Sequence, residues 1–93
     1  MPLRLITSWE ALPGKRDQVV ATYTELCPFV RQEPGCLGFD MFQDIKDPDR
    51  FVLLERWASK RALTAHGELL RGRGLDLTSL RQTGGVERWE DEA

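Results

Sequence analysis

The sequence predicts an α+β fold, a β-α-β-β-α-β chain of the ferredoxin-like kind with a four-stranded antiparallel sheet. Three observations predict it. Short stretches rich in β-formers, two of them clearly alternating, are separated by two longer stretches in which apolar residues recur every three or four positions. Pro-Gly, Asp-Pro and Gly-Gly pairs fall between them. The length, 93 residues, suits one domain over 1–93 and not two.

The first stretch, Leu3 to Ala11, is rich in β-formers, and Pro13 and Gly14 stop it. From Lys15 the period changes. Val19, Tyr23, Leu26 and Val30 recur at helical spacing, with Val20 and Phe29 widening the stripe. Pro28 predicts a kink near Thr24 to Cys27, or a break with Pro28 in a new first turn. Glu33, Pro34 and Gly35 end the helix.

Alternation returns from Cys36 to Asp44, with Leu37, Phe39 and Met41 pointing one way and Gly38, Asp40 and Phe42 the other. After the Asp-Pro loop, Phe51 to Trp57 completes a hairpin. One face of this strand is Phe51, Leu53, Glu55 and Trp57; the other is Val52, Leu54 and Arg56. Both are mainly apolar, so the strand alone leaves open which one meets the helices. Ser59 is an N-cap for a second helix, with Ala62, Leu63, His66 and Leu69 or Leu70 on one side and Gly67, Gly72 and Gly74 weakening its continuation. Leu70 to Leu80 reads as a short helix after a loop, and Gly84 to Asp91 as the last strand.

Both helices on one face leave the other face of the sheet bare and apolar. A second copy would cover it, so the sequence predicts a two-fold homodimer packed sheet to sheet. A domain this small buries only about 60–65% of its unfolded surface, which adds to the case for a partner subunit.

Composition narrows the function. Hydrophobic residues make up 41% and charged residues 30%, an ordinary globular mix. A net charge of −2 offers no basic field for nucleic acid. No apolar run has membrane-span length and no signal peptide stands at the start, so a cytoplasmic protein is expected. Cys27 and Cys36 read as reduced small hydrophobes. With one histidine and no C-x-x-C or H-x-x-x-H spacing, no dedicated metal site is expected.

The Pro-Gly-Lys after the first strand, the run Glu33 to Trp57 and the Ser59…Ala65-His66 segment resemble the antibiotic biosynthesis monooxygenase domain family. The resemblance covers roughly Leu3 to His66. It implies a dimeric α/β-barrel assembly of ferredoxin-like subunits, with one pocket per subunit between sheet and helices. Relatives include oxygenases that turn polycyclic phenols or quinols into quinones without metal or flavin, and others that degrade haem or process small signalling molecules. The quinone-forming members use an asparagine and a tryptophan; the haem degraders add a histidine ligand. Trp57 matches the tryptophan. The chain departs from the rest: it contains no asparagine, and Arg71 and Arg73 stand where the haem ligand would lie.

The candidate catalytic residues are Glu55, His66 and Trp57. A carboxylate in an apolar pocket can act as a base toward a phenol. His66 is the group suited to proton transfer near neutrality. Trp57 offers a flat aromatic surface and an N–H donor. Candidate substrate-binding residues are Trp9, Tyr23, Phe39, Met41, Phe51 and Leu53. Each has a structural alternative: an ion pair for Glu55, the subunit interface for Trp9, core or interface for Trp57, and core packing for the others. The leading expectation is a cofactor-independent monooxygenase acting on a small aromatic substrate. The alternatives are an isomerase or cyclase using the same acid–base pair, or a binding protein without chemistry.

Overall fold

The computed structural model describes residues 2–73, 80 and 85–90, the last six as backbone. The elements run β1 (Leu3–Glu10), α1 (Arg16–Arg31), β2 (Cys36–Gln43), β3 (Arg50–Trp57), α2 (Lys60–Gly72) and β4 (Gly85–Glu90). The four strands form one antiparallel sheet in the order β2-β3-β1-β4. This is the predicted ferredoxin-like topology. Of the segment Leu70 to Leu80, only Leu70 to Arg73 and Leu80 are described, so the short helix suggested there lies outside the described residues.

Alternation along β3 decides which face is covered. Phe51, Leu53, Glu55 and Trp57 are buried, whereas Val52 and Leu54 are half-buried and Arg56 is exposed. In register beside the buried row stand Trp9, Thr7, Leu5 and Leu3 of β1, and Met41, Phe39 and Cys36 of β2. The helices close over this row with Val19, Tyr23, Leu26, Cys27 and Val30 from α1 and His66 from α2. Each fully buried aliphatic or aromatic side chain contributes about 1.5–3 kcal/mol.

Three details differ from the sequence reading, and a fourth settles a choice it left open. α1 runs through Pro28 without a restart and ends at Arg31. The proline stands in the last turn, where it forfeits one bond while Leu26, Cys27 and Val30 hold the helix on the sheet. Val20 and Phe29 are exposed and do not widen the buried stripe; Phe29 instead lies under the Arg73 guanidinium, 5.3 Å from its ring centre. Leu37 is exposed because the β2–β3 register shifts between Cys36 and Gly38. The bulge turns Leu37 out and brings Cys36, not Leu37, against the core. On α2 the core-facing leucine is Leu70, and Leu69 is exposed; the helix continues past Gly67 to Gly72.

Two contacts set where the helices sit. Arg31 donates through Nε to the Phe39 carbonyl at 3.0 Å and through Nη2 to Asp40 at 2.9 Å, fastening α1 to edge strand β2. Gly35, at φ +81°, lies so close to α2 that a Cβ there would stand 2.5 Å from the Ala62 Cβ. The Gly35 carbonyl also accepts from the Ala58 N–H at 2.8 Å. The turn between α1 and β2 is thus pressed onto the start of α2, which Ser59 caps by accepting from the Ala62 N–H.

Candidate active site

The C-terminal end of β3 carries the polar part of the interior. Glu55 and Trp57, two residues apart on one strand, share a face. The Trp57 indole N–H donates to Glu55 Oε1 at 3.1 Å. His66 lies over them from α2, its ring 4.6 Å from the Trp57 ring and tilted by 32°. Phe39 flanks His66 on the other side at 5.5 Å. His66 Nε2 is 3.9 Å from Glu55 Oε1. The three expected catalytic residues therefore meet in one buried cluster.

A fourth residue completes it. Glu33, in the turn after α1, places Oε1 2.9 Å from His66 Nδ1. Its side chain is 7% exposed and that of His66 6%. Sequence reasoning took Glu33 only as part of the helix-ending turn. The usable signal was a carboxylate next to a Pro-Gly turn in a chain with a single histidine. Cys36 stands beside this cluster. Burial pushes its thiol above the ordinary value, and the nearby Glu33 and Glu55 charges push the same way.

Two carboxylates flanking one imidazole make a proton-handling arrangement, and the indole supplies a flat donor surface beside it. A hollow of about 350 Å³ lies against this cluster, bordered by Glu33, Pro34, Ala62, Ala65, His66 and Leu69, with Glu68 at its side. That is the lower end of the size range of small-molecule sites.

The expected substrate-binding residues divide. Phe39 touches the polar cluster. Met41 and Tyr23 border a separate hollow of about 270 Å³ between α1 and β2. Trp9, Tyr23 and Phe51 pack together near the other end of the sheet, with Trp9 stacked on Phe51 at 5.0 Å and 5.6 Å from Tyr23. Leu53 is buried between the two ends. At ~3.3 Å per residue, Phe51 and Trp57 stand about 20 Å apart along β3. Among the described residues no group of three or more His, Cys, Asp or Glu side chains is placed to hold a metal ion. No helix among them is long and apolar enough to cross a membrane.

Comparison with known proteins assigns the chain to a family. The antibiotic biosynthesis monooxygenase profile matches residues 2–69. YcnE of Bacillus subtilis, which carries a provisional monooxygenase name, is 29% identical over 63 residues, 68% of this chain and 66% of that protein. The uncharacterised protein sll1783 of Synechocystis is 25% identical over 70% of this chain and 44% of its own length. The match thus takes in less than two thirds of either curated relative. Among solved structures, PA3566 of Pseudomonas aeruginosa is 30% identical and superposes with a TM-score of 0.83 over 99% of this chain and 95% of that one. A crystal structure of an antibiotic biosynthesis monooxygenase is 35% identical, with a TM-score of 0.79 over 98% and 99%. Nearly three quarters of the chain lies within the family profile and both of these folds align over almost their whole length: the chain belongs to the antibiotic biosynthesis monooxygenase family.

Proposed function

We propose that this protein is a monooxygenase that oxidises a quinol or polycyclic phenol with O2, working as a homodimer packed sheet to sheet. The observation that carries the reading is the buried cluster of Glu55, His66 and Trp57, an acid–base pair beside a flat aromatic donor. Family membership supports oxygen chemistry in general. The open face of the sheet, with Ile6, Val52 and Leu54 half-buried and Phe42 exposed, supports the dimer.

In this reading the ligand occupies the hollow next to His66, and the buried Trp57 and Phe39 rings pack against the imidazole and hold it in place. His66 takes the proton of the substrate hydroxyl or activated methylene. Glu55, held in place by the Trp57 N–H, stabilises the resulting imidazolium. The electron-rich anion then reduces oxygen directly, so the step draws on no metal or flavin. For an anthrone-type substrate the balance closes: the ring CH2 becomes C=O with one oxygen atom, and the second atom leaves as water. Trp9, Tyr23 and Phe51 serve as packing that holds the sheet and α1 in place.

Metal-stripped protein is incubated with a panel of quinols and anthrones under ¹⁸O2 and under argon. Oxygen uptake is expected with one labelled atom in the product, in the new carbonyl of an anthrone or as the added ring oxygen of a hydroxyquinone formed from a quinol, and the second atom in water. No uptake across the panel defeats it. Turnover of a carbonyl compound that persists under argon reassigns the same acid–base pair to an isomerase or cyclase.

A further inference from the structure

We propose that Glu33 is a positioning residue that fixes the tautomer of His66, holding the hydrogen on Nδ1 and leaving the Nε2 lone pair on the Glu55 side as the base. The role of Nε2 as base rests on the oxygenase reading above; the tautomer itself does not.

The geometry carries it in three steps. The 2.9 Å separation between His66 Nδ1 and Glu33 Oε1 is a hydrogen bond within a pair that is more than nine-tenths buried. An ionised Glu33 accepts and does not donate, and with Glu33 in that form the hydrogen in the bond belongs to Nδ1. A neutral imidazole carrying Nδ1–H has its lone pair on Nε2, which is 3.9 Å from Glu55 Oε1 and makes no hydrogen bond to it. Glu33 Oε2 is buried with no hydrogen-bond partner among the described residues, so the hydrogen bonding of this carboxylate rests on His66.

The fold shows how the pair is brought together. Glu33 and His66 are 33 positions apart in the chain. Ala62 and His66 are four apart on α2 and face the same way. The contact of Gly35 with Ala62 sets the turn one helical step from His66, and Glu33, two residues before Gly35, comes opposite the imidazole. The turn is closed by the Glu33 N–H on the Val30 carbonyl and the Cys36 N–H on the Glu33 carbonyl, both at 3.0 Å. The groups facing the ring are Glu33 from the turn, Glu55 and Trp57 from β3, and Phe39 from β2.

The chain has one histidine, so ¹⁵N-histidine labelling of the full chain gives a single imidazole. At pH 8 the wild type is expected to show a pyrrole-type Nδ1 and a pyridine-type Nε2. Glu33→Gln, whose amide oxygen still accepts, keeps that pattern. Glu33→Leu loses it, giving the Nε2–H form or a mixture, and lowers kcat about 10–100-fold more than it raises KM, in the range of orienting partners of histidines. A wild-type ring protonated at Nε2, or at both nitrogens, overturns the proposal. So does a Glu33→Leu variant that folds and keeps Nδ1–H. Should Glu33→Leu fail to fold, Glu33→Ala and Gly35→Ala, the latter moving the turn without altering the carboxylate, are read in the same spectrum; retention of an unchanged Nδ1–H signal in both counts against it. Because the tautomer is measured without substrate, its failure is separate from a failure to find oxygen-dependent turnover.

Discussion

Near one end of the helix-covered sheet face, Trp9 stacks on Phe51 and leans on Tyr23, and these aromatic rings are almost wholly buried. At the other end Trp57 is as deeply buried, yet its neighbours are Glu55, His66 and Glu33. The first arrangement adds about 0.5–1.5 kcal/mol per aromatic pair to the burial of each ring. The second takes two carboxylates out of water, and the pairing they gain offsets that cost at best in part. A domain of 93 residues has little stability to spare. On the proposed reading the aromatic end holds the fold, while the polar end is kept for what its protons do.

Substitutions at the two ends should therefore separate activity from stability. The largest effect is expected at the polar end: His66→Ala lowers kcat/KM by about 10²–10⁴, the usual worth of a general base, in oxygen-uptake assays. At the aromatic end Trp9→Ala costs about 3–5 kcal/mol in urea denaturation, while the fraction that stays folded turns over substrate as the wild type does. Equal losses of activity per folded molecule at both ends would erase the distinction.

Smaller effects sharpen it. Gly35→Ala forces a side chain into the left-handed region and against Ala62, costing about 1–3 kcal/mol by the same denaturation measurement. The thiols report on the pH window. Burial raises Cys27 and Cys36 above the ordinary thiol value. Folding then favours the protonated thiol, so this contribution to stability is complete below the unfolded value of about 8.5 and is lost as the pH rises through the folded values. The urea midpoint should decline above that pH, and less so in Cys27→Ala/Cys36→Ala.

Much of this architecture was legible in the sequence. The change of period, the β-former content of the first stretch and the turn and cap residues together placed all six elements, and alternation put Phe51, Leu53, Glu55 and Trp57 on one face. The covered face was not legible, because Val52 and Leu54 are as apolar as Phe51 and Leu53. Leu37 was misplaced because a one-residue bulge reverses every side chain before it and leaves no mark in the composition. Val20 and Phe29 were assigned to the buried stripe on polarity, which does not report how wide a contact the sheet offers. Glu33 was missed for a different reason. Its partner lies 33 positions away, and only the close approach of Gly35 to Ala62 brings them together.

The polar pair can be removed as a unit. In Glu33→Leu/His66→Phe both partners become apolar together, so neither is left buried alone, and the new ring can pack between Trp57 and Phe39. Urea denaturation and oxygen-dependent turnover are measured on the same preparation. A urea midpoint equal to or above that of the wild type is expected, with turnover lost. A lower midpoint with turnover retained would show that the pair holds the fold and does not serve the chemistry.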